Sequence, residues 1–156
     1  MADDLFPALN LDQSEFVRPG DVWIVGEIPA EIVREMAWPP ACRTVRLHFE
    51  AVAHIQLRRG THAEDAEAVL EHLPNTVCNP HLHGRKKGDR RRIVVVREIE
   101  ANRRWIIISL KFVPSNESKS GLDEIWVSTG MAIGPKSLTR YRAHHNLREL
   151  QEGTES

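Results

Sequence analysis

The sequence predicts a single α+β domain, and three observations lead to this prediction. A length of 156 residues with 41% hydrophobic composition is enough for one globular core and too little for two. Apolar residues in the first half recur mainly at helical spacing, whereas the second half contains three runs rich in β-branched and aromatic residues. Helices followed by strands, rather than alternating with them, indicate an α+β architecture.

The first half opens with an acidic segment and then two short extended stretches. Residues 1–16 contain four acidic residues and no Lys or Arg. We expect residues 1–20 to form a flexible acidic extension that ends at the turn signal Arg18-Pro19-Gly20. The apolar run 22–25 and the alternating run 44–47 predict two short strands.

Three helices are predicted between and after these strands. Pro29 suits the first turn of one helix, and Gly60 suits the end of the next. Thr61 and Glu64 form a capping box that begins the third helix, which Pro74 is expected to stop. The predicted helices span residues 30–37, 49–60 and 61–73.

The second half predicts antiparallel strands. Ala101-Asn102 makes a tight turn between the first two runs, so we expect them to pair as neighbours. Residues 115–121 form a polar loop, and the tail from Thr139 is a helix candidate. The three runs are Ile93–Val96, Trp105–Leu110 and Ile125–Thr129. We therefore place one domain at residues 21–138 and a tail at 139–156.

The formal net charge of −1 conceals a basic body. Without the two acidic ends, 1–16 and 147–156, the chain has 20 basic and 15 acidic residues. Six of the cations lie in eight positions, which we call the basic segment, residues 85–92. Such a run is typical of a solvated loop or of a surface that binds a nucleic-acid backbone. Its cations are Arg85, Lys86, Lys87, Arg90, Arg91 and Arg92.

Composition and motifs argue against several other classes of protein. Two cysteines in unlike contexts do not form a disulfide framework, and no apolar run is long enough to span a membrane. The start of the chain lacks the positive charge of a signal peptide, so we expect a cytoplasmic protein. A nucleophile elbow and a glycine-rich phosphate loop are also missing, and no cofactor is predicted.

His54 and Arg58 are the first candidates for catalysis. They are four residues apart on one helix face, where the cation can hold a phosphate oxygen beside the imidazole. Alone, a histidine at the edge of a helix is more often structural. Arg59 and His62 are further candidates at the helix end, where complementing the helix dipole is the simpler interpretation.

His81 and His83 offer an alternative site. Two imidazoles at alternate positions of an extended loop can share a metal ion. No Glu or Cys at a recognised spacing supplies a third ligand, and the pair His144-His145 has the same weakness.

Three strand residues can contact phosphate. Lys111 follows the second strand run, and a lysine there can neutralise a phosphate group. Ser128 and Thr129 end the third run, where their hydroxyl groups can donate hydrogen bonds to phosphate oxygens.

The order of these segments resembles that of the phage-associated nucleases of the barnase–EndoU–colicin–RelE-like superfamily. The family signature has a His-Ile pair followed by an Arg-His pair, an Asn-Pro pair, and a Thr near the end of a late strand. The resemblance spans about residues 20–133, and the chain departs from the signature at Arg59, where the family often has histidine. The matching positions are Val25–Ile32, Val45–Leu47, His54-Ile55, Asn79-Pro80 and Thr129.

The resemblance implies a fold and an activity. The fold would be N-terminal helices packed on a curved antiparallel sheet of four to five strands. The activity would be metal-independent cleavage of RNA to a 2′,3′-cyclic phosphate, with His54 as acid or base, His83 as a second such group, Arg58 and Lys111 as phosphate clamps and Thr129 as a hydrogen-bond donor. The basic segment, Arg59 and Ser128 would bind the RNA.

Several alternatives remain open at this stage. A toxin-like or phage-associated enzyme implies an antitoxin or immunity protein as partner. The chain can instead be a non-catalytic module that binds RNA or protein on the same fold, a metal-dependent hydrolase that uses His81 and His83, or a phage structural accessory protein.

Overall fold

A computed structural model describes residues 22–59, 63–99, 104–118 and 120–149, with the backbone alone at 56–59 and 63–66. The predicted extension 1–20, the capping-box residue Thr61, the turn at 101–102 and His62 lie outside the described residues. The elements are β1 Val22–Glu27, α1 Ala30–Met36, β2 Thr44–His48, α2 Phe49–Arg59, α3 Ala63–Cys78, β3 Leu82–Gly84, β4 Arg92–Ile99, β5 Arg104–Val113, β6 Glu124–Ile133, α4 Pro135–His145 and β7 Arg148–Glu149.

The strands form one mixed sheet of seven, in the order β1-β2-β6-β5-β4-β3-β7. The pairs β4–β5 and β5–β6 are antiparallel, which confirms the predicted pairing of the first two strand runs. β2 lies parallel to β6, with Val45 opposite Ile125 and Arg46 opposite Trp126. A parallel pair needs a long connection between its strands, and here it includes α2, α3 and three further strands.

The predicted fold was wrong in its sheet and in the position of its helices. The sheet has seven strands of mixed direction rather than four or five antiparallel ones. The helices that pack on it are not all N-terminal, since α4 lies between β6 and β7, where it overlaps the helix candidate that begins at Thr139. β3 and β7, of three and two residues, are too short to produce a strand pattern in the sequence. The parallel pairing of β2 joins residues far apart in the chain, which local patterns do not indicate.

Helix α3 also continues beyond the predicted stop at Pro74. Val69, Leu70, Leu73 and Val77 are buried along one face on both sides of the proline. Burial of Val77 in the additional stretch 74–78 offsets part of the cost of about 3 kcal/mol for proline inside a helix. The Thr76 hydroxyl donates to the carbonyl of His72, four residues earlier, at 2.8 Å, which gives this buried hydroxyl a hydrogen-bond partner.

The two faces of the sheet differ in their cover. On the helix-covered face, α1, α2 and α3 bury alternate strand residues in the main core, among them Val95, Ile108 and Ile125. On the opposite face, which we call the open face, a smaller cluster joins Leu138 of α4 to Val94 and Ile107. α4 covers only part of that face, so the remaining side chains of β2, β6, β5 and β4 determine its chemistry.

Candidate functional site

The basic segment, the open face and the end of α4 together form a set of adjoining cavities that we call the basic cleft. A cavity of about 130 Å³ lies between Lys86, Arg92, Ser109 and His145. A second, of about 200 Å³, continues along Ser109 to Thr129 and His145. An open groove of about 600 Å³ runs from residues 86–92 to Lys111. Lys86 lines all three cavities, so they adjoin one another at this residue.

Asp89 gives the basic segment a defined shape. Its Oδ1 accepts hydrogen bonds from the backbone N–H groups of Arg91 at 2.9 Å and Arg92 at 3.0 Å. Its backbone carbonyl accepts one from Arg85 Nη1 at 2.8 Å, and its N–H donates to the carbonyl of Lys86 at 3.0 Å. Gly88 has φ of +84°, which a residue with a side chain rarely adopts. The segment is therefore an ordered turn.

The six cations of this turn have different roles. Arg85 is held by the turn itself, and Arg91 forms a two-pronged ion pair with Glu117 at 2.9 and 3.0 Å. Lys86, Lys87, Arg90 and Arg92 are exposed, and their side chains make no hydrogen bond or ion pair with any residue that the structure describes. These four are therefore available for an anionic ligand.

His145 brings an imidazole to the same cleft. It lies at the C-terminus of α4 and stacks on Tyr141, with ring centroids 5.1 Å apart. Burial lowers the pKa of His145, the charges of Lys86 and His144 lower it further, and the backbone carbonyl of Tyr141 works in the opposite direction. A histidine with a lowered pKa is neutral near pH 7 and can accept a proton.

Lys111 and Thr129, both sequence-predicted site residues, line the cleft. Lys111 pairs across the strands with Arg92, and Thr129 pairs with Ser109. Ser128 lies beside Thr129 at a shift in the β5–β6 register, between Ser109 and Leu110, and lines none of the three cavities. The structure thus brings together part of the predicted set.

His54, Arg58 and Arg59 lie apart from the cleft. They belong to α2, whose buried residues Val52 and Ile55 pack in the main core on the helix-covered face. The His54 side chain is exposed, while the side chains of the two arginines are outside the described part of the chain. The sheet separates this helix from Lys111 and Thr129.

His83 is buried on β3, not in a loop as the sequence suggested. Its Nδ1 is 3.3 Å from Glu35 Oε1 of α1, without the alignment of a hydrogen bond. Burial lowers the pKa of His83, Glu35 opposes this shift, and Arg148 adds to it. The lowered pKa favours the neutral imidazole, so the cation that pairs with Glu35 is Arg148 of β7. His83 is therefore a buried residue at the place where β3, α1 and β7 meet.

His81, the other member of the proposed metal pair, has a different environment. It is exposed, and its Nδ1 accepts a hydrogen bond from the backbone N–H of Glu98 at 3.1 Å. Among the described residues, no group of three or more His, Cys, Asp or Glu side chains is arranged to hold a metal ion.

His145 and Tyr141 belong to the site although the sequence did not predict them there. His144-His145 was interpreted only as a weak metal pair, and the helix was predicted from Thr139, whereas α4 begins at Pro135. Proline followed by Lys and Ser after Gly134 is a helix-start signal that could have placed His145 at a helix end.

Comparison with protein-family models found no match, and neither the curated proteins nor the solved structures gave a significant one. The resemblance to the nuclease superfamily therefore stays a prediction. Within the described residues, no helix is both long and apolar enough to cross a membrane.

Proposed function

We propose that the protein binds RNA, with the phosphate backbone of the nucleic acid held in the basic cleft. The supporting observation is that Lys86, Arg92 and Lys111 line adjoining cavities whose other polar side chains include Ser109 and Thr129. Cations neutralise phosphates, and hydroxyl groups contribute hydrogen bonds to their oxygens.

The test is binding of a fluorescently labelled 12-nucleotide RNA, measured by anisotropy in EDTA at several salt concentrations. Three phosphate contacts on a single strand predict that log K falls with log salt with a slope of about −2. Lys86→Ala and Lys111→Ala should each weaken binding and reduce the slope by about 0.7. Arg34→Ala is the matched control, because Arg34 is an exposed cation on α1 of the helix-covered face. Equal losses in all three variants would contradict the proposed site.

Metal-independent cleavage of RNA is the second candidate function, and the position of His145 favours it. In this reaction the ribose 2′-oxygen attacks the adjacent phosphorus, a base takes the 2′-hydroxyl proton, and the bond to the 5′-oxygen breaks as that oxygen gains a proton. A neutral His145 can act as the base, and Lys86 and Lys111 can neutralise the charge on the phosphorane oxygens.

Two histidine variants separate the possible locations of this activity. Cleavage in EDTA that yields 2′,3′-cyclic ends should fall about 10²–10⁴-fold in the variant that lacks the acid or base. Loss in His145→Ala but not in His54→Ala would assign the reaction to the basic cleft. Loss only in His54→Ala would support the assignment that the resemblance implies. RNA binding without cleavage by the wild type would leave a non-catalytic binding module.

A further inference from the structure

A row of four side chains crosses the open face at right angles to the strands. Arg46 of β2 lies opposite Trp126 of β6, Trp126 lies opposite Lys111 of β5, and Lys111 lies opposite Arg92 of β4. We call these four residues the transverse row. Neighbouring strands are about 4.8 Å apart, so the row extends over roughly 14 Å.

Trp126 is unusual for a tryptophan in an apolar strand. Its neighbours Ile125 and Val127 are buried in the main core, so Trp126 points to the opposite, open face. It is half-buried and belongs to neither hydrophobic cluster. Its indole ring is 4.3 Å, centroid to centroid, from the imidazole of His48, and the rings are tilted by 51°.

Glu124 fixes the orientation of the indole. Trp126 Nε1 donates to Glu124 Oε1 at 2.6 Å, and the Ser120 hydroxyl donates to Oε2 at 2.6 Å. Burial raises the pKa of Glu124, but these hydrogen bonds and the charges of Arg46 and His48 outweigh it and lower the pKa overall. Glu124 is 7% exposed, and both of its carboxylate oxygens accept hydrogen bonds from the side chains of Ser120 and Trp126.

We propose that the transverse row binds single-stranded nucleic acid, with a base stacked on Trp126 and phosphates on the flanking cations Arg46, Lys111 and Arg92. Bases of a single strand are available to stack on an aromatic ring, and this stacking tolerates any base sequence. In a duplex the bases are stacked on one another, and a flat row on a sheet cannot reach them. This proposal rests on the proposed RNA-binding function and specifies that the nucleic acid bound is a single strand.

The test compares two labelled ten-nucleotide RNA probes with identical phosphate backbones, one of uridylate and one with abasic ribose at the central positions. The wild type should bind the uridylate probe about tenfold more tightly, as one stacked base predicts. Trp126→Leu should lose that factor for the uridylate probe and keep the wild-type affinity for the abasic probe. Trp126→Phe, which retains a ring, should keep most of the preference.

A second measurement does not depend on the leucine variant folding. Saturating uridylate probe should quench the tryptophan fluorescence of the wild type, and Trp126→Phe should reduce this quenching although three other tryptophans remain. A duplex of the same length should bind more weakly than the single strand at equal salt. Folding of each variant is checked from its thermal unfolding midpoint.

The outcomes distinguish a failure of base stacking on Trp126 from a failure of RNA binding itself. Equal affinity of the wild type for uridylate and abasic probes, or unchanged preference in Trp126→Leu, would overturn base stacking while leaving backbone binding in place. Stronger binding of the duplex would overturn the single-strand assignment. No binding of any probe would overturn both proposals.

Discussion

The two faces of the sheet are built from alternate residues of the same strands, yet they have opposite chemistry. In β5, Ile106, Ile108 and Leu110 are buried against helices, whereas Ser109 and Lys111 line the basic cleft. Three helices cover one face and one helix partly covers the other. The comparison indicates that the helix-covered face supplies stability and that the open face is left accessible for a ligand.

Truncation of two neighbouring residues of β5 tests whether the two faces differ in this way. Ile108 is fully buried, so Ile108→Ala should lower the free energy of unfolding by about 2–5 kcal/mol. Ser109→Ala, one residue later on the open face, should change it by less than about 0.5 kcal/mol. Urea unfolding measures both, and similar losses would show that the open face is part of the core.

Gly84 and Gly130 lie on strands where neighbouring atoms are too close to admit a Cβ without a shift. A Cβ at Gly84 would meet the backbone carbonyl oxygens of His145 and Asn146, which cannot move aside without shifting the end of α4. A Cβ at Gly130 would meet side-chain methyl groups of Ile108 at 2.7 Å and Val69 at 2.9 Å. Overpacking costs about 1–3 kcal/mol, and we expect Gly84→Ala to lie at the upper end and Gly130→Ala at the lower end.

The two glycine variants should also differ in their affinity for RNA. Gly84→Ala should also weaken RNA binding, because it displaces His145 and with it one wall of the basic cleft. Gly130→Ala points its new methyl group at the helix-covered face and should leave binding near the wild-type value. Unfolding curves and anisotropy titrations of the same preparations check both expectations.

Two histidines, the buried His83 and the half-buried His145, give a pH test of smaller effect. The pKa of His83 and of His145 is lowered in the folded protein, in both cases chiefly by burial. The unfolded chain therefore binds more protons below the ordinary histidine pKa of 6.5, and folding stability should fall as the pH drops from 7.5 to 5.5.

Substitution should flatten this pH dependence. His83→Gln and His145→Gln should each lose less stability than the wild type over the same pH interval, because each removes one group that the fold keeps neutral. Urea unfolding at pH 7.5, 6.5 and 5.5 measures the change. A wild type whose stability is constant over this range would contradict both assignments.

The smallest expected effect concerns the ion pair between Arg91 and Glu117. Both side chains are about half exposed, and the hydrogen bonds to Arg91 lower the pKa of Glu117. Glu117→Gln should leave stability unchanged and release Arg91 toward the ligand. The salt slope of RNA binding should then steepen by up to about 0.7, as for one added phosphate contact. An unchanged slope would place Arg91 outside the binding surface.

The sequence predicted the long elements well because their signals are local. The strands at 93–96, 105–110 and 125–129 and the helices beginning at Ala30 and Phe49 are confirmed. Proline at 74 was a misleading signal, because the burial of Val77 and neighbouring residues keeps the helix intact. The seven-stranded mixed sheet was not predicted, because it depends on pairings between distant segments and on two very short strands.

The candidate site was predicted only in part, for the same reason. The basic segment was identified from local charge density, and Lys111 and Thr129 from their positions at strand ends. Which histidine joins them depends on which face of the sheet each helix covers. That is a tertiary property, and it places α2 with His54 on one side and α4 with His145 on the other.

The parallel pairing of β2 with β6 has a consequence for the order of folding. β4, β5 and β6 are consecutive antiparallel neighbours, whereas Val45 and Ile125 of the parallel pair are about 80 residues apart in the chain. Contacts between distant residues have a high entropic cost and tend to form late. We therefore expect the three-stranded meander to form first and to serve as the template on which β1 and β2 dock, so that the transverse row is completed only when the last large part of the sheet has assembled.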